Sequence, residues 1–205
     1  MGYYVRKGDP SDYKEAAPLI YQSGPEVLEF LFARDGRTSL SFLEHSFQRG
    51  LGFFSSNAHY VVTSEDKVVS IGAFYGWFKH KFLSLGMAYD VFTFYPVKIG
   101  LSILLDCLAI ESRRKPPGIF SLYICNFATN QDASGNGMAT IIFNEVTKMK
   151  KYRFVTEFLC DVSLDNIRAR KLHERTGFVG RRTTHFNKRE LKPILRMSMP
   201  SRSWN

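Results

Sequence analysis

Residues 127 to 139 read Phe127-Ala128-Thr129-Asn130-Gln131-Asp132-Ala133-Ser134-Gly135-Asn136-Gly137-Met138-Ala139. The run before them, Ile119 to Phe127, is apolar and aromatic enough for a buried strand. After them, Met138, Ile141, Ile142, Val146 and Met149 recur at roughly the spacing of one helix face. The stretch is therefore a strand end, a polar loop and two glycines opening a helix. A helix N-terminus has amides without internal partners and carries the positive end of the dipole. Gly135 and Gly137 lack Cβ atoms, so a bulky anion can approach that backbone closely. The geometry predicts a phosphate or pyrophosphate cradle. The plainer alternative is a helix that merely starts beside two glycines.

A second segment bears on that choice: Asp165-Asn166-Ile167-Arg168-Ala169-Arg170-Lys171-Leu172-His173-Glu174-Arg175-Thr176-Gly177-Phe178. With both segments in hand, the chain resembles the GNAT N-acetyltransferase superfamily. The acetyl-CoA loop of that family reads Gln/Arg-x-x-Gly-x-Gly/Ala, and Ser134 to Ala139 match it at Gly137 and Ala139. Its later helix reads Asn-x-x-Ala-x-x-Leu-Tyr, then a short spacer and Gly-Phe. Asn166, Ala169, Leu172, Gly177 and Phe178 fit this pattern. Either motif alone is weak; both in order, 32 residues apart from Ser134 to Asn166, are specific. The resemblance implies acetyl-CoA as acyl donor, held by the backbone of Phe127, Ala128 and Thr129, by Ser134, Gly135, Asn136, Gly137, Met138 and Ala139, and by Asn166. No metal is expected, because no cysteine pair or histidine sits in a ligand pattern.

Two positions depart from the family. Ser134 stands where Gln or Arg is usual, which removes a long side chain from the pyrophosphate rim and predicts weaker affinity. His173 stands where Tyr is usual. The CoA thiolate needs a proton as it leaves, and an imidazole can deliver one, with an ordinary pKa near 6.5 against about 10 for a phenol. Asn166, Ala169 and His173 recur at spacings of three and four and share one helix face. The competing reading has His173 simply packing beneath the cofactor.

The 205 residues suit one domain with a sizeable core, spanning 1–205. Hydrophobic content of 44% and charged content of 23% are those of a globular protein. The 18 Phe and 10 Tyr fill cores but also line pockets for ligands with apolar arms. A net charge of +9 raises the question of nucleic acid, yet the cations are dispersed. Lys148, Lys150 and Lys151 close the glycine-loop helix, and Arg113, Arg114 and Lys115 follow another apolar run. Most read as solvated helix faces. Cys107, Cys125 and Cys160 all lie in apolar runs without metal-ligand spacing, as core residues of a reducing compartment do. The N-terminus has no apolar signal region, and the longest apolar segment, Val97 to Ile110, is too short to span a bilayer. The expectation is a soluble, cytoplasmic protein with no membrane partner.

Along the chain, Tyr3 to Arg6 reads as a first strand, with three helices after it. His59 to Thr63 and Val68 to Trp77 form a hairpin, and Val97 to Arg113 a helix. Phe154 to Val162 is a strand before the Asn166 helix, and Gly177 to Phe186 and Pro193 to Met199 close the chain. This order agrees with the fold the resemblance implies: an α/β (α+β) protein with a mixed, mostly antiparallel sheet, a splayed parallel strand pair and flanking helices. The splay leaves a gap for the pantetheine arm. Residues 79 to 118 form an insertion that either shapes the acceptor site or makes a subunit contact, as in a homodimer.

The expected reaction is acetyl transfer from acetyl-CoA to a primary amine of a small molecule or peptide. The attacking amine must be neutral, and backbone N–H groups near Thr129 can polarise the thioester carbonyl. Glu157 and Asp161 are weak candidates for the base, each also readable as a structural carboxylate. The Tyr21-Gln22-Ser23-Gly24 turn, Tyr75, Trp77 and the loop around His185 are candidate acceptor walls. His45, His59, His80 and His185 form no metal pattern and read as ordinary core or surface residues. Two rivals stand beside the enzyme: a non-catalytic acyl-CoA-binding module, and an RNA- or ribosome-associated protein on the same scaffold.

Overall fold

The computed structural model describes residues 2–188 and 191–201; Met1, where the stretch read for targeting signals begins, lies outside them. The chain enters through β1 (Tyr4–Lys7). A reciprocal cap follows: Asp9 accepts from the Ser11 N–H at 2.9 Å, and Asp12 accepts from the Asp9 N–H at 2.8 Å. Then come α1 (Tyr13–Gln22), α2 (Pro25–Phe32) and α3 (Ser39–Arg49), the last capped by Thr38, whose hydroxyl accepts from the Ser41 N–H. β2 (His59–Ser64) and β3 (Lys67–Tyr75) form the hairpin. The 79–118 region holds two helices, α4 (Trp77–Phe94) and α5 (Val97–Arg113). β4 (Ser121–Thr129), α6 (Met138–Thr147), β5 (Glu157–Ser163) and α7 (Ile167–Arg175) follow, and β6 (Val179–Thr184) and β7 (Ile194–Pro200) complete the sheet.

Among the described residues, seven strands lie in the order β1-β2-β3-β4-β5-β7-β6. Every pair is antiparallel except β4–β5. Strand alternation sends Val61 and Ile71 to one face, where Ile20, Phe32, Phe42 and Phe47 of the first three helices pack on them. Tyr60, Phe74, Leu122 and Ile124 point to the other face, beneath Met138, Ile142 and Val146 of α6. The architecture is the mixed, mostly antiparallel sheet with one parallel pair and flanking helices that the sequence predicts.

Two expectations need correction. Trp77 does not continue the third strand. The strand stops at Tyr75, Gly76 caps α4, and the His80 N–H bonds back to the Gly76 carbonyl at 2.9 Å. The fifth strand begins at Glu157 rather than Phe154, because residues 150–155 wind into a tight turn with the Val155 N–H bonded to Tyr152 O.

The parallel pair separates partway along. β4 and β5 are paired from Ser121–Glu157 to Ile124–Cys160. Beyond that, β4 continues against β3 alone, and β5 against β7 alone. A bulge turns β4 away: Ile71 faces Ala128 and Ala73 faces Cys125, so Asn126 and Phe127 together oppose Gly72. Asn126 takes φ 54, a left-handed conformation that Asn tolerates better than most residues. Gly72 has no side chain because one there would strike the Phe127 ring at 2.8 Å.

Candidate active site

The splay is held by a histidine. His59 is fully buried, and its Nδ1–H donates to the Ser55 carbonyl at 2.8 Å. That leaves Nε2 to accept from Asn126 Nδ2 at 3.1 Å. This arrangement needs a neutral ring, and burial lowers the His59 pKa to about 3. The pin matters for the gap. The Ala128 carbonyl accepts from the Ser70 hydroxyl at 2.9 Å and the Asn130 N–H donates to Val69 O at 2.8 Å, so both face β3. Backbone alternation then turns the N–H and C=O groups of Phe127 and Thr129 toward the gap. Ala128, expected among the donor-binding residues, instead directs its backbone to β3 and its side chain to the α1 side of the core.

The glycine loop keeps its two glycines for backbone reasons. Gly135 and Gly137 have φ of 85 and 75, and a Cβ at either position would meet open space. Gly137 is the N-cap of α6, and no side chain among the described residues caps this helix start. Ser134 to Gly137 are exposed, Ala139 half-buried, and Met138 directs its side chain into the core, leaving only its backbone to a ligand. An exposed, uncapped helix start fits an anion.

Asn166 also has a local duty: its Oδ1 accepts from the Ala169 N–H at 3.0 Å and caps α7. Asn166, Ala169 and His173 do share a face, and all three line the cleft at the splay. His173 lies edge-on to Phe178, with ring centroids 5.3 Å apart, and burial pulls its pKa below the ordinary 6.5. The ring is therefore neutral at pH 7.

The cavities around the splay join end to end. An apolar one of about 120 Å³ lies between α6 and α7, lined by Ala139, Phe143, Leu172 and His173. It shares Ile124, Phe127, Ala169 and His173 with a cleft of about 540 Å³ in the throat between β4 and β5. The throat in turn shares Ser23, Gly24, Cys125, Asn126 and Asp161 with a third cavity of about 230 Å³ on the α5 side. Adjoining cavities thus extend from α6, past the β4–β5 splay, to a chamber walled by α2, α4 and α5.

The chamber mixes apolar walls, such as Leu28, Phe54 and Met87, with Tyr75, Glu111, Arg114 and Tyr123. Of the expected acceptor walls, Ser23, Gly24 and Tyr75 line this chamber and Gln22 the throat, while Tyr21, Trp77 and His185 line neither. Glu157 is away from the throat, within 3.4 Å of the Ser121 hydroxyl. Asp161 is in the throat but fully engaged: Arg196, its cross-strand partner, grips both oxygens at 2.7 and 2.8 Å, and the Tyr123 hydroxyl donates at 2.9 Å. It anchors the wall and is no free base. Burial pushes the Cys125 and Cys107 thiols up to about 12, so both stay protonated.

Arg114 is the residue that the sequence pattern conceals. It follows α5 in a basic run, yet it folds inward over the chamber, three-quarters buried. Its Nη1 stands 3.8 Å from Glu111 and its Nε 4.0 Å from Asp161, both beyond hydrogen-bond range. The Nε is shut off from solvent and has no hydrogen-bond partner among the described residues.

No family model and no curated protein matches the sequence. Solved structures do match. An N-acetyltransferase from Staphylococcus aureus is 17% identical, with a TM-score of 0.65 over 96% of this chain and 100% of that one. A GNAT-family acetyltransferase from Streptococcus agalactiae is 10% identical, with a TM-score of 0.56 over 98% and 96% of the two chains. A GCN5-related N-acetyltransferase from Kribbella flavida is 14% identical, with a TM-score of 0.55 over 97% of each. With a splayed parallel pair and a glycine-opened helix in its own chain, and with these structural likenesses, the protein has the GNAT N-acetyltransferase fold.

Proposed function

We propose that this protein is an N-acetyltransferase that moves an acetyl group from acetyl-CoA to a primary amine. The observation that carries the reading is the run of adjoining cavities at the β4–β5 splay, with α6 and its exposed start on one side and a mixed chamber on the other. The first-turn amides of α6 would hold the pyrophosphate, and the gap-facing backbone of Phe127 and Thr129 the pantetheine arm. The donor supplies an activated acyl carbon and a thiolate leaving group. The acceptor enters from the α5 side, its apolar part against Leu28, Phe54 and Met87.

His173 is the proposed proton carrier. A half-buried, neutral imidazole is a poor donor by itself but a competent acceptor. It takes the proton that the amine loses as the C–N bond forms. It then returns that proton to the sulfur as the C–S bond breaks, so no net proton is left on the protein. Thiol release from acetyl-CoA in the presence of mixed small amines and peptides tests the function. Release that depends on an amine is expected. CoA binding without release would favour a binding module, and salt-sensitive RNA binding without release would favour the nucleic-acid reading.

A further inference from the structure

The outer face of the α4–α5 pair is unlike the rest of the surface. The helices lie side by side and antiparallel: Phe92 rests against Gly100 near their turn, and His80 meets Glu111 at 3.6 Å toward the other end. Their inner faces serve the core and the chamber, through residues such as Leu83, Val91, Ile103 and Ile110. Their outer faces are also apolar. On α4, Phe78, Phe82, Leu85, Tyr89 and Phe92 follow one another at spacings of four, three, four and three. On α5, Val97, Leu101, Leu105 and Leu108 do so at four, four and three. All nine are between 43% and 73% exposed.

Such spacing averages close to 3.5 residues, the repeat of a seam at which one helix packs on another. At the areas these side chains carry, the nine present roughly 1,000 Å² of surface, against about 300–600 Å² for the largest apolar patch of an ordinary monomer. A stable interface covers about 800 Å² per partner. A helix lying on a bilayer backs its apolar face with a basic polar one. Here the backing faces are packed into protein.

We propose that a second copy of this chain covers the face, the two α4–α5 pairs meeting across a two-fold axis as a four-helix layer. The two seams run side by side, with their exposed cations Lys81 and Lys98 at the margins, so the apolar face complements itself without needing a different partner. The inference does not rest on the acyl-transfer reading.

Sedimentation velocity of the full chain at micromolar concentration tests it. The expected species has twice the chain mass, and Phe82→Glu with Leu105→Glu is expected to shift it to the monomer. Circular dichroism checks that the variant keeps its fold; if it does not, Leu85→Glu with Leu108→Glu replaces it. A wild-type protein that stays monomeric overturns the proposal, as does a folded double variant that dimerises unchanged. Flotation of a wild-type monomer with phosphatidylcholine–phosphatidylglycerol vesicles would overturn it in favour of a membrane.

Discussion

Gly137 illustrates how one residue serves two roles that substitutions can separate. Its φ of 75 at the start of α6 disfavours any side chain, while the space around it is open. Gly137→Ala is therefore expected to cost about 1 kcal/mol of stability with CoA binding largely retained. Gly137→Asp adds a negative charge where the pyrophosphate would sit, and calorimetry should show CoA affinity reduced about 100-fold or more. At His173 the rate, not the affinity, should respond. His173→Phe is expected to lower acyl transfer about 10²-fold with CoA affinity nearly intact, and His173→Tyr to keep substantial activity. Because burial holds the His173 pKa below 6.5, the wild-type rate should fall as pH drops below that value and the ring becomes protonated. A pH–rate profile for His173→Phe should lack this acid limb. These residues stand out in the sequence because local motifs mark them: a glycine pair before an apolar run, and the Asn166-x-x-Ala169-x-x-Leu172-His173 pattern.

The bulged end of β4 is the element that opens the sheet, and its support comes from a different strand. Asn126→Ala keeps the left-handed backbone but loses the His59 bond; a stability loss of about 1–2 kcal/mol is expected in chemical denaturation. Asn126→Gly should recover the backbone share of that loss. His59 makes the element sensitive to acid. Its folded pKa of about 3 lies below the unfolded value near 6.5, so between these the unfolded chain binds more protons and stability rises with pH. Acidifying from pH 6.5 to 5 should remove about 2 kcal/mol through this group alone. Buried Asp90, raised to about 6 by desolvation, acts in the opposite direction over part of that window. The measurement is therefore the difference in pH slope between wild type and His59→Gln, with the variant's slope flatter toward low pH. The pin could not be read from the chain, because a lone Asn in an apolar strand and a His far upstream share no local pattern. α4 escaped for a related reason: apolar on both faces, it lacks the one-sided periodicity that identifies a helix.

At the scale of the molecule, the run of cavities at the splay separates donor and acceptor effects. Ala169→Phe, which fills the apolar cavity on the α6–α7 side, should weaken CoA binding even though the glycine loop is untouched. Arg114→Met, on the other side, should raise the acceptor KM about tenfold and leave CoA affinity unchanged, since the guanidinium lines the chamber and neither the throat nor the α6–α7 cavity. Initial-rate kinetics with each substrate varied in turn would show the two effects falling on different constants.

Local chemistry in the sequence was enough to read the glycine loop, the Asn166 helix and the order of elements along the chain, and the family resemblance carried by those motifs implied the fold. Those signals depend on neighbours within a turn or two, where capping, periodicity and backbone freedom act. The tertiary structure alone decided that Asp161 is neutralised by Arg196, that Arg114 turns inward and that His59 holds the splay open. Each depends on strand register or helix packing between residues tens of positions apart. A charge or an imidazole takes its role from the groups that packing places beside it, and the linear chain does not specify that placement residue by residue.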